Sequence, residues 1–315
     1  MTDSKEIAIV MGYPASGKTT LVAKHFDTYE RVNRDTLGGT LDGLAKKAKE
    51  ILKKHPKIVL DNTYADKQSR KSIIDVAKEL GIPIRCVWLC TSYEDALFNA
   101  CWRMMERTGR ILAPEDFKGE FKNDPNLFPI ITLFAYKKRF EKPELSEGFS
   151  KIDKVPFDRQ FPSEHTNKAL ILDYDDTLRR SLGDQHWPEK IEDVEILPNR
   201  KKILSQWKKK GFLLLGASNQ SAVKKGRITE AQAIEFFNHT NKLLGHSVDF
   251  MFDTCSPPPI TTYTRKPFPG IGVCFIHKYK LNPAECIMVG DQTSDKTFAA
   301  RCGFKYEHPD TFFAS

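Results

Sequence analysis

Short apolar runs punctuate the chain and alternate with longer stretches in which apolar residues return every three or four positions. Ile7–Met11, Ile58–Leu60 and Ile84–Leu89 are apolar or bulky almost throughout and read as buried parallel strands. Between them, Leu41–Leu52 and Lys67–Leu80 carry charge on one side of a helical repeat and predict amphipathic helices. The alternation resumes with strand-like runs at Ala169–Asp173, Phe212–Ser218, Val248–Phe252 and Cys286–Asp291. Strands alternating with helices predict the α/β class with mainly parallel sheets.

A polar, proline-punctuated stretch, with Lys154-Val155-Pro156-Phe157 and then Phe161-Pro162-Ser163, interrupts this rhythm. A chain of 315 residues exceeds the usual single domain. The expectation is two α/β domains, 1–157 and 168–315, joined by a linker at 158–167. Composition adds little: 40% hydrophobic and 29% charged residues exclude disordered and fibrous classes. No apolar run is long enough to span a bilayer, and Met1–Glu6 lacks the basic-then-apolar grammar of a secretion signal. An intracellular, cytoplasmic protein without a membrane partner is expected. The seven cysteines lack the paired spacings of zinc sites or disulfide frameworks and read as small buried hydrophobes. A net charge of +8 suits a polyanionic partner, although tracts such as Lys208-Lys209-Lys210 equally suit solvated helix faces.

The first candidate chemistry lies just after the first strand. Gly12-Tyr-Pro-Ala-Ser16-Gly17-Lys18-Thr19 fits the phosphate-binding loop in its strand-to-helix setting. Glycines let backbone N–H groups turn inward around phosphates, and the helix start adds partial positive charge. Gly12, Ser16, Gly17, Lys18, Thr19 and Thr20 are therefore read as the binding site for ATP or another nucleoside triphosphate, with Thr19 facing Mg²⁺. Such a loop serves hydrolases and kinases alike, so an acceptor side must be sought. In Asn33-Arg34-Asp35-Thr36, Asp35 can accept the proton of an attacking hydroxyl and Arg34 can hold an acceptor phosphate. Asp61 ends a strand, where carboxylates of open α/β sheets face the ligand crevice. Arg103, Arg107 and Arg110 lie on one predicted helix and its exit, with Arg107 the choice for closing over the migrating phosphoryl group.

The loop, the Val32–Leu37 stretch, Leu60-Asp-Asn-Thr63 and Glu144-Leu-Ser-Glu-Gly-Phe149 together resemble a polynucleotide kinase domain over residues 7–157. That resemblance implies a P-loop kinase fold, donor contacts from Lys18 and Thr19, Asp35 as general base, Asp61 at the acceptor end and a lid arginine.

In the second half, Asp173-Tyr174-Asp175-Asp176-Thr177 follows an apolar strand and fits the DxDxT signature of haloacid-dehalogenase-type phosphatases. Asp173 would attack phosphorus to give an aspartyl-phosphate, and Asp175 would protonate the leaving oxygen and later activate water. Ser218 and Asn219 end a strand and would bond phosphoryl oxygens, with Thr177 a further substrate contact. Lys266 would neutralise nucleophile and phosphate. Asp173, the Asp175 backbone and Asp291, with Asp295 nearby, would hold Mg²⁺. Only Cys255 stands where the sugar-phosphate phosphatases of this superfamily carry a zinc loop. Tyr263–Pro267, Phe268-Pro-Gly270 and the ending from Cys302 to Phe313 instead resemble the polynucleotide 3′-phosphatase branch over residues 168–313. The resemblance implies a haloacid-dehalogenase-like Rossmannoid fold after the kinase fold, the phage-type order, opposite to that of animal repair enzymes. The implied substrates are RNA or DNA ends, with a ligase acting downstream. The same residues also fit a small-metabolite kinase fused to a small-molecule phosphatase.

Overall fold

A computed structural model describes residues 5–257 and 259–314. Met1–Ser4, part of the start read above for a signal, lie outside the described residues. The chain divides into two compact units, Met1–Ala100 with Asn123–Arg159, and Cys101–Lys122 with Gln160–Ser315. No hydrophobic pattern signals that 101–122 groups with the second unit.

The first unit holds a five-stranded sheet, β1 Glu6–Met11, β2 Glu30–Val32, β3 Lys57–Asp61, β4 Ile84–Leu89 and β5 Lys151–Val155, in the order β2-β3-β1-β4-β5. Every pairing is parallel. Residues of β1 feed opposite faces in turn, because side chains alternate along a strand. Ile7, Ile9 and Met11 pack with Leu44, Ala48, Ile73 and Ile74 of the helices Leu41–Ile51 and Lys67–Leu80. Ala8 and Val10 pack with Val22 and Phe26, in and beside the helix Lys18–His25. Helices thus cover both faces. The helix Lys67–Leu80 starts and stops where its caps dictate: Asp66 and Ser69 form a capping box, and Gly81 leaves the helix at φ +63°.

The second unit repeats the plan. Its strands are β6 Ala169–Leu172, the hairpin β7 Arg179–Ser181 and β8 Val194–Ile196, then β9 Leu213–Asn219, β10 Asp249–Asp253, β11 Ile287–Val289 and β12 Lys305–Glu307. The parallel sheet runs β10-β9-β6-β11-β12, and β7 pairs antiparallel with β8. Leu170 and Leu172 pack with Leu204, Phe236 and Phe237 of the helices Arg200–Lys209 and Glu230–Leu244. The architecture is α/β, two three-layer domains with parallel sheets. Among the described residues no helix is long and apolar enough to cross a membrane.

The predicted strands are all present, with ends shifted by a residue or two. The strands absent from the sequence reading are β2, β5, β12 and the hairpin. Each is at most five residues long and carries charged side chains on an edge or outside the main sheet, so no apolar run marks it.

Candidate active sites

β1 stops at Met11, and Gly12 turns the chain at φ +153°. A Cβ there would lie 2.8 Å from Ser16 Oγ and 3.2 Å from Leu89 Cβ, so the loop closes this tightly only around glycine. Ala15 at φ +62° and Gly17 at φ +90° continue the left-handed turns, which aim backbone N–H groups into one concavity. Lys18 Nζ folds back on the carbonyls of Tyr13, at 2.8 Å, and Gly12, at 3.1 Å. The buried Ser16 hydroxyl has no hydrogen-bond partner among the described residues. A buried hydroxyl left unbonded marks where an incoming oxygen belongs, which suits a phosphate-bearing ligand.

Thr19 and Thr20 are exposed at the helix start. Thr19 Oγ1 donates to Asp61 Oδ2 at 3.3 Å, and Arg31 pairs with the same carboxylate while its Nη2 lies 3.4 Å from the threonine oxygen. The sequence reading missed Arg31. Asp61 itself is buried at the end of β3. Asn33 ties the Arg34–Leu37 turn to that strand end: its amide donates to Asp61 O, and its Oδ1 accepts from Asp35 N at 2.6 Å. Arg34 N donates to Asn62 Oδ1 at 3.1 Å. The Asp35 carboxylate is thereby left exposed on a one-turn helix, Arg34–Leu37. Arg34 lines a cavity of about 300 Å³ with Thr40, Asp66, Gln68, Ser69 and Arg139. Arg139, also unforeseen, holds Asp66 through Nε and Nη2 at 2.9 and 2.6 Å.

The candidate lid arginines fall in the segment that groups with the second unit. Arg107 is exposed. Arg110 is tied to its own loop by two bonds to Asp116, at 2.6 and 2.8 Å.

In the second unit, Asp173 follows β6 and its N–H donates to Val289 O at 3.0 Å. Lys266 Nζ lies 2.9 Å from Asp173 Oδ1 and 2.6 Å from Asp295 Oδ1, with all three residues buried. Burial pushes the Asp173 carboxyl up to about 7 against the pull of Lys266, and the neighbouring Asp295 and Asp175 charges add to the rise. Asp173, Asp291 and Asp295 present oxygens within 4.8 Å of one another. Three clustered carboxylates facing a single ammonium leave an excess of negative charge, and hard oxygen donors in that setting fit a divalent cation such as Mg²⁺. Gly290 makes the cluster possible, since a Cβ on it would sit 2.4 Å from Asp295 Oδ2.

Ser218, Asn219, Lys266, Asp173, Asp175 and Asp291 line one cavity of about 570 Å³. One sequence-based assignment changes. Thr177 is fully buried, with its hydroxyl 3.5 Å from Asp291 Oδ1, so it braces an acidic residue and is out of reach of substrate. The Asn219 amide is occupied at both ends by the Lys266 backbone, at 2.9 Å each, and fixes the lysine in place. Asp175 lines the cavity with its carboxylate held by Arg179 and Gln220, neither of which the sequence singled out.

The family model described as an AAA domain matches residues 7–99, and one described as HAD-hydrolase-like matches residues 263–306. A bifunctional polynucleotide phosphatase/kinase of Schizosaccharomyces pombe is 35% identical over 178 residues, which are 56% of this chain and 37% of that protein. The chain thus aligns with little more than a third of that relative's length. A D-glycero-beta-D-manno-heptose-1,7-bisphosphate 7-phosphatase of Haemophilus ducreyi is 30% identical over 44% of this chain and 80% of its own. Among solved structures, a chain of an RNA repair complex aligns over 98% of this chain and 96% of its own at 14% identity, with a TM-score of 0.31. The chain thus joins a segment that matches the AAA-domain family to one that matches the HAD-hydrolase-like family, and over 56% of its length it is similar to a bifunctional polynucleotide phosphatase/kinase.

Proposed function

We propose that the protein heals nucleic-acid ends, phosphorylating 5′-hydroxyls with ATP and removing 3′-phosphates, so that a ligase can act on the products. The observation that carries this reading is the pairing in one chain of two separately built phosphoryl-transfer centres of opposite sense. One has the loop of a donor nucleotide, and the other has a buried nucleophilic carboxylate against a lysine.

In the kinase centre, Lys18 and the loop N–H groups hold the ATP phosphates. The acceptor oxygen attacks the γ-phosphorus, the bond to the bridging oxygen breaks, and the hydroxyl proton passes to Asp35. Arg34 holds an acceptor phosphate, and Asp61 orders the acceptor end. In the phosphatase centre, an oxygen of Asp173 attacks phosphorus, the bond to the 3′-oxygen breaks, and Asp175 delivers a proton to that oxygen. Water then cleaves the aspartyl-phosphate, giving its proton to Asp175 and releasing inorganic phosphate. Ser218 and Lys266 hold the phosphoryl oxygens. Asp173, Asp291 and Asp295, and Thr19 in the kinase centre, would hold Mg²⁺, which would supply charge neutralisation during transfer. The need for ATP and nucleic acid suits a location inside the cell.

End-labelled RNA and DNA carrying 5′-hydroxyl and 3′-phosphate termini, incubated with ATP and Mg²⁺, test the reading directly. Both ends are converted; Lys18→Ala loses only phosphorylation and Asp173→Asn only dephosphorylation. Turnover confined to sugar phosphates, the substrate class named for the Haemophilus relative, would instead favour a metabolite enzyme.

A further inference from the structure

A carboxylate that must hand a proton to a leaving oxygen needs more than the right sequence position, because rotation about its own side-chain bonds can carry it out of line. Both oxygens of Asp175 are pinned. Arg179 Nε donates to Oδ1 at 2.9 Å and Gln220 Nε2 donates to Oδ2 at 2.9 Å. The same Gln220 nitrogen lies 3.0 Å from Ser218 Oγ, so the proton carrier and the phosphate-binding hydroxyl share one brace.

Arg179 is 1% exposed, an unusual place for a guanidinium without a task. It lies against the rings of Phe237, at 5.1 Å, and Tyr174, at 5.4 Å, and its Nη1 donates to Thr240 Oγ1 at 2.9 Å. Thr240 is itself fully buried and donates to Phe236 O at 2.7 Å within the helix Glu230–Leu244. The arginine's backbone closes the catalytic turn as well: Arg179 N donates to Tyr174 O at 3.0 Å, and Asp176 N to Arg179 O at 2.8 Å. Neither Arg179 nor Thr240 lines the reaction cavity.

We propose that Arg179, anchored on Thr240, is a positioning residue that fixes the Asp175 carboxylate for proton transfer to the leaving oxygen. The inference rests on the phosphatase reading above. It separates the two kinds of ester. An alkoxide such as a ribose 3′-oxygen leaves only with a proton, whereas p-nitrophenolate is stable as the anion and leaves without one. In the second step both substrates share the aspartyl-phosphate, so only the first step distinguishes them.

The test compares Arg179→Met, Thr240→Val and Thr240→Ser with the parent chain, all with Mg²⁺, on a 3′-phosphorylated oligonucleotide and on p-nitrophenyl phosphate. Positioned acid–base groups are worth about 10²–10⁴-fold. Arg179→Met therefore lowers kcat on the oligonucleotide by about 100-fold with KM little changed, while the rate of the first-turnover burst of p-nitrophenolate falls by less than about threefold. Thr240→Val gives the same pattern more weakly, and Thr240→Ser restores the parent behaviour. Far-UV circular dichroism checks folding, and where Arg179→Met fails to fold the threonine pair decides. Undiminished oligonucleotide turnover, or an equal loss in the p-nitrophenolate burst, overturns the positioning role. A parent chain that hydrolyses neither ester overturns the phosphatase reading itself.

Discussion

Arg70 stands in the helix Lys67–Leu80 with no exposed surface, and it meets Glu147 in a two-pronged ion pair, Nε to Oε2 at 2.7 Å and Nη2 to Oε1 at 2.9 Å. Its Nη1 donates to the carbonyls of Tyr64 and Glu141, each at 3.2 Å. The glutamate side chain is 8% exposed and also accepts from Glu144 N at 2.9 Å. Arg70→Met removes the guanidinium and leaves a buried carboxylate with one neutral donor, together with two carbonyls short of theirs. Breaking a buried pair from one side costs about 3–5 kcal/mol, a large share of the roughly 5–15 kcal/mol that holds a domain folded. Glu147→Gln keeps the shape and loses the charge, and should cost about 1.5–3 kcal/mol, the worth of hydrogen bonds to a charged group. Arg70→Met with Glu147→Leu removes both charges and should be less destabilised than Arg70→Met alone. Amide hydrogen exchange read by mass spectrometry localises the effect, because the opening free energy of peptides from 67–80 falls while that of β6 and β11 stays put. A single Arg70→Met change within about 0.5 kcal/mol of the parent would place the pair with ordinary surface pairs, and the burial argument would be wrong.

Gly290→Ala drives a methyl into the Asp295 carboxylate, 2.4 Å from Oδ2, and should lower 3′-phosphatase turnover by about 10²-fold through misplacement while 5′-phosphorylation continues. Asp295→Asn takes one carboxylate from the acidic cluster and one of the two anions from Lys266; calorimetric titration with Mg²⁺ alone should show affinity at the second unit weakened by about 10–100-fold. Burial pushes the Cys86 and Cys286 thiols up to about 12 and raises Cys101 well above the usual thiol range. Iodoacetamide should spare these three in the native protein and label them after denaturation, and equal native rates for Cys86 and the partly exposed Cys255 would contradict it.

What the sequence disclosed and what it withheld divide along a physical line. The phosphate loop is legible because its chemistry is local: the turn glycines, Lys18 and Thr19 are neighbours in the chain, and a strand must precede them. Buried strands such as Ile7–Met11 are legible because both faces are covered, which leaves an unbroken apolar run. Arg31, Arg139, Arg179 and Gln220 escaped because an isolated arginine or glutamine gives no hint of a partner that only the fold supplies. Arg31 meets Asp61 across the β2–β3 pairing, and Gln220 meets Asp175 across β9 and β6. Thr177 failed in the opposite way. Motif position marked it as a substrate contact, but burial turns its hydroxyl inward to Asp291.

Parallel register explains why the distant stations could be placed at all. In the second sheet Leu172 is paired with both Gly216 and Val289, so the chain ends of β6, β9 and β11 arrive at one edge together. Asp173, Ser218 and Asp291 each lie one or two residues beyond those paired positions, which brings them to the same crevice without any contact along the sequence. In the first sheet Val10 is paired with Asp61, and the phosphate loop begins two residues later at Gly12. A central strand flanked on both sides leaves such a crevice at its carboxyl end, and β1 and β6 are the central strands of their sheets. Slipping either register by one residue would turn these side chains to the opposite face. The apolar runs that build each sheet therefore also specify where its chemistry stands, and each sheet does so with its own strands and its own core.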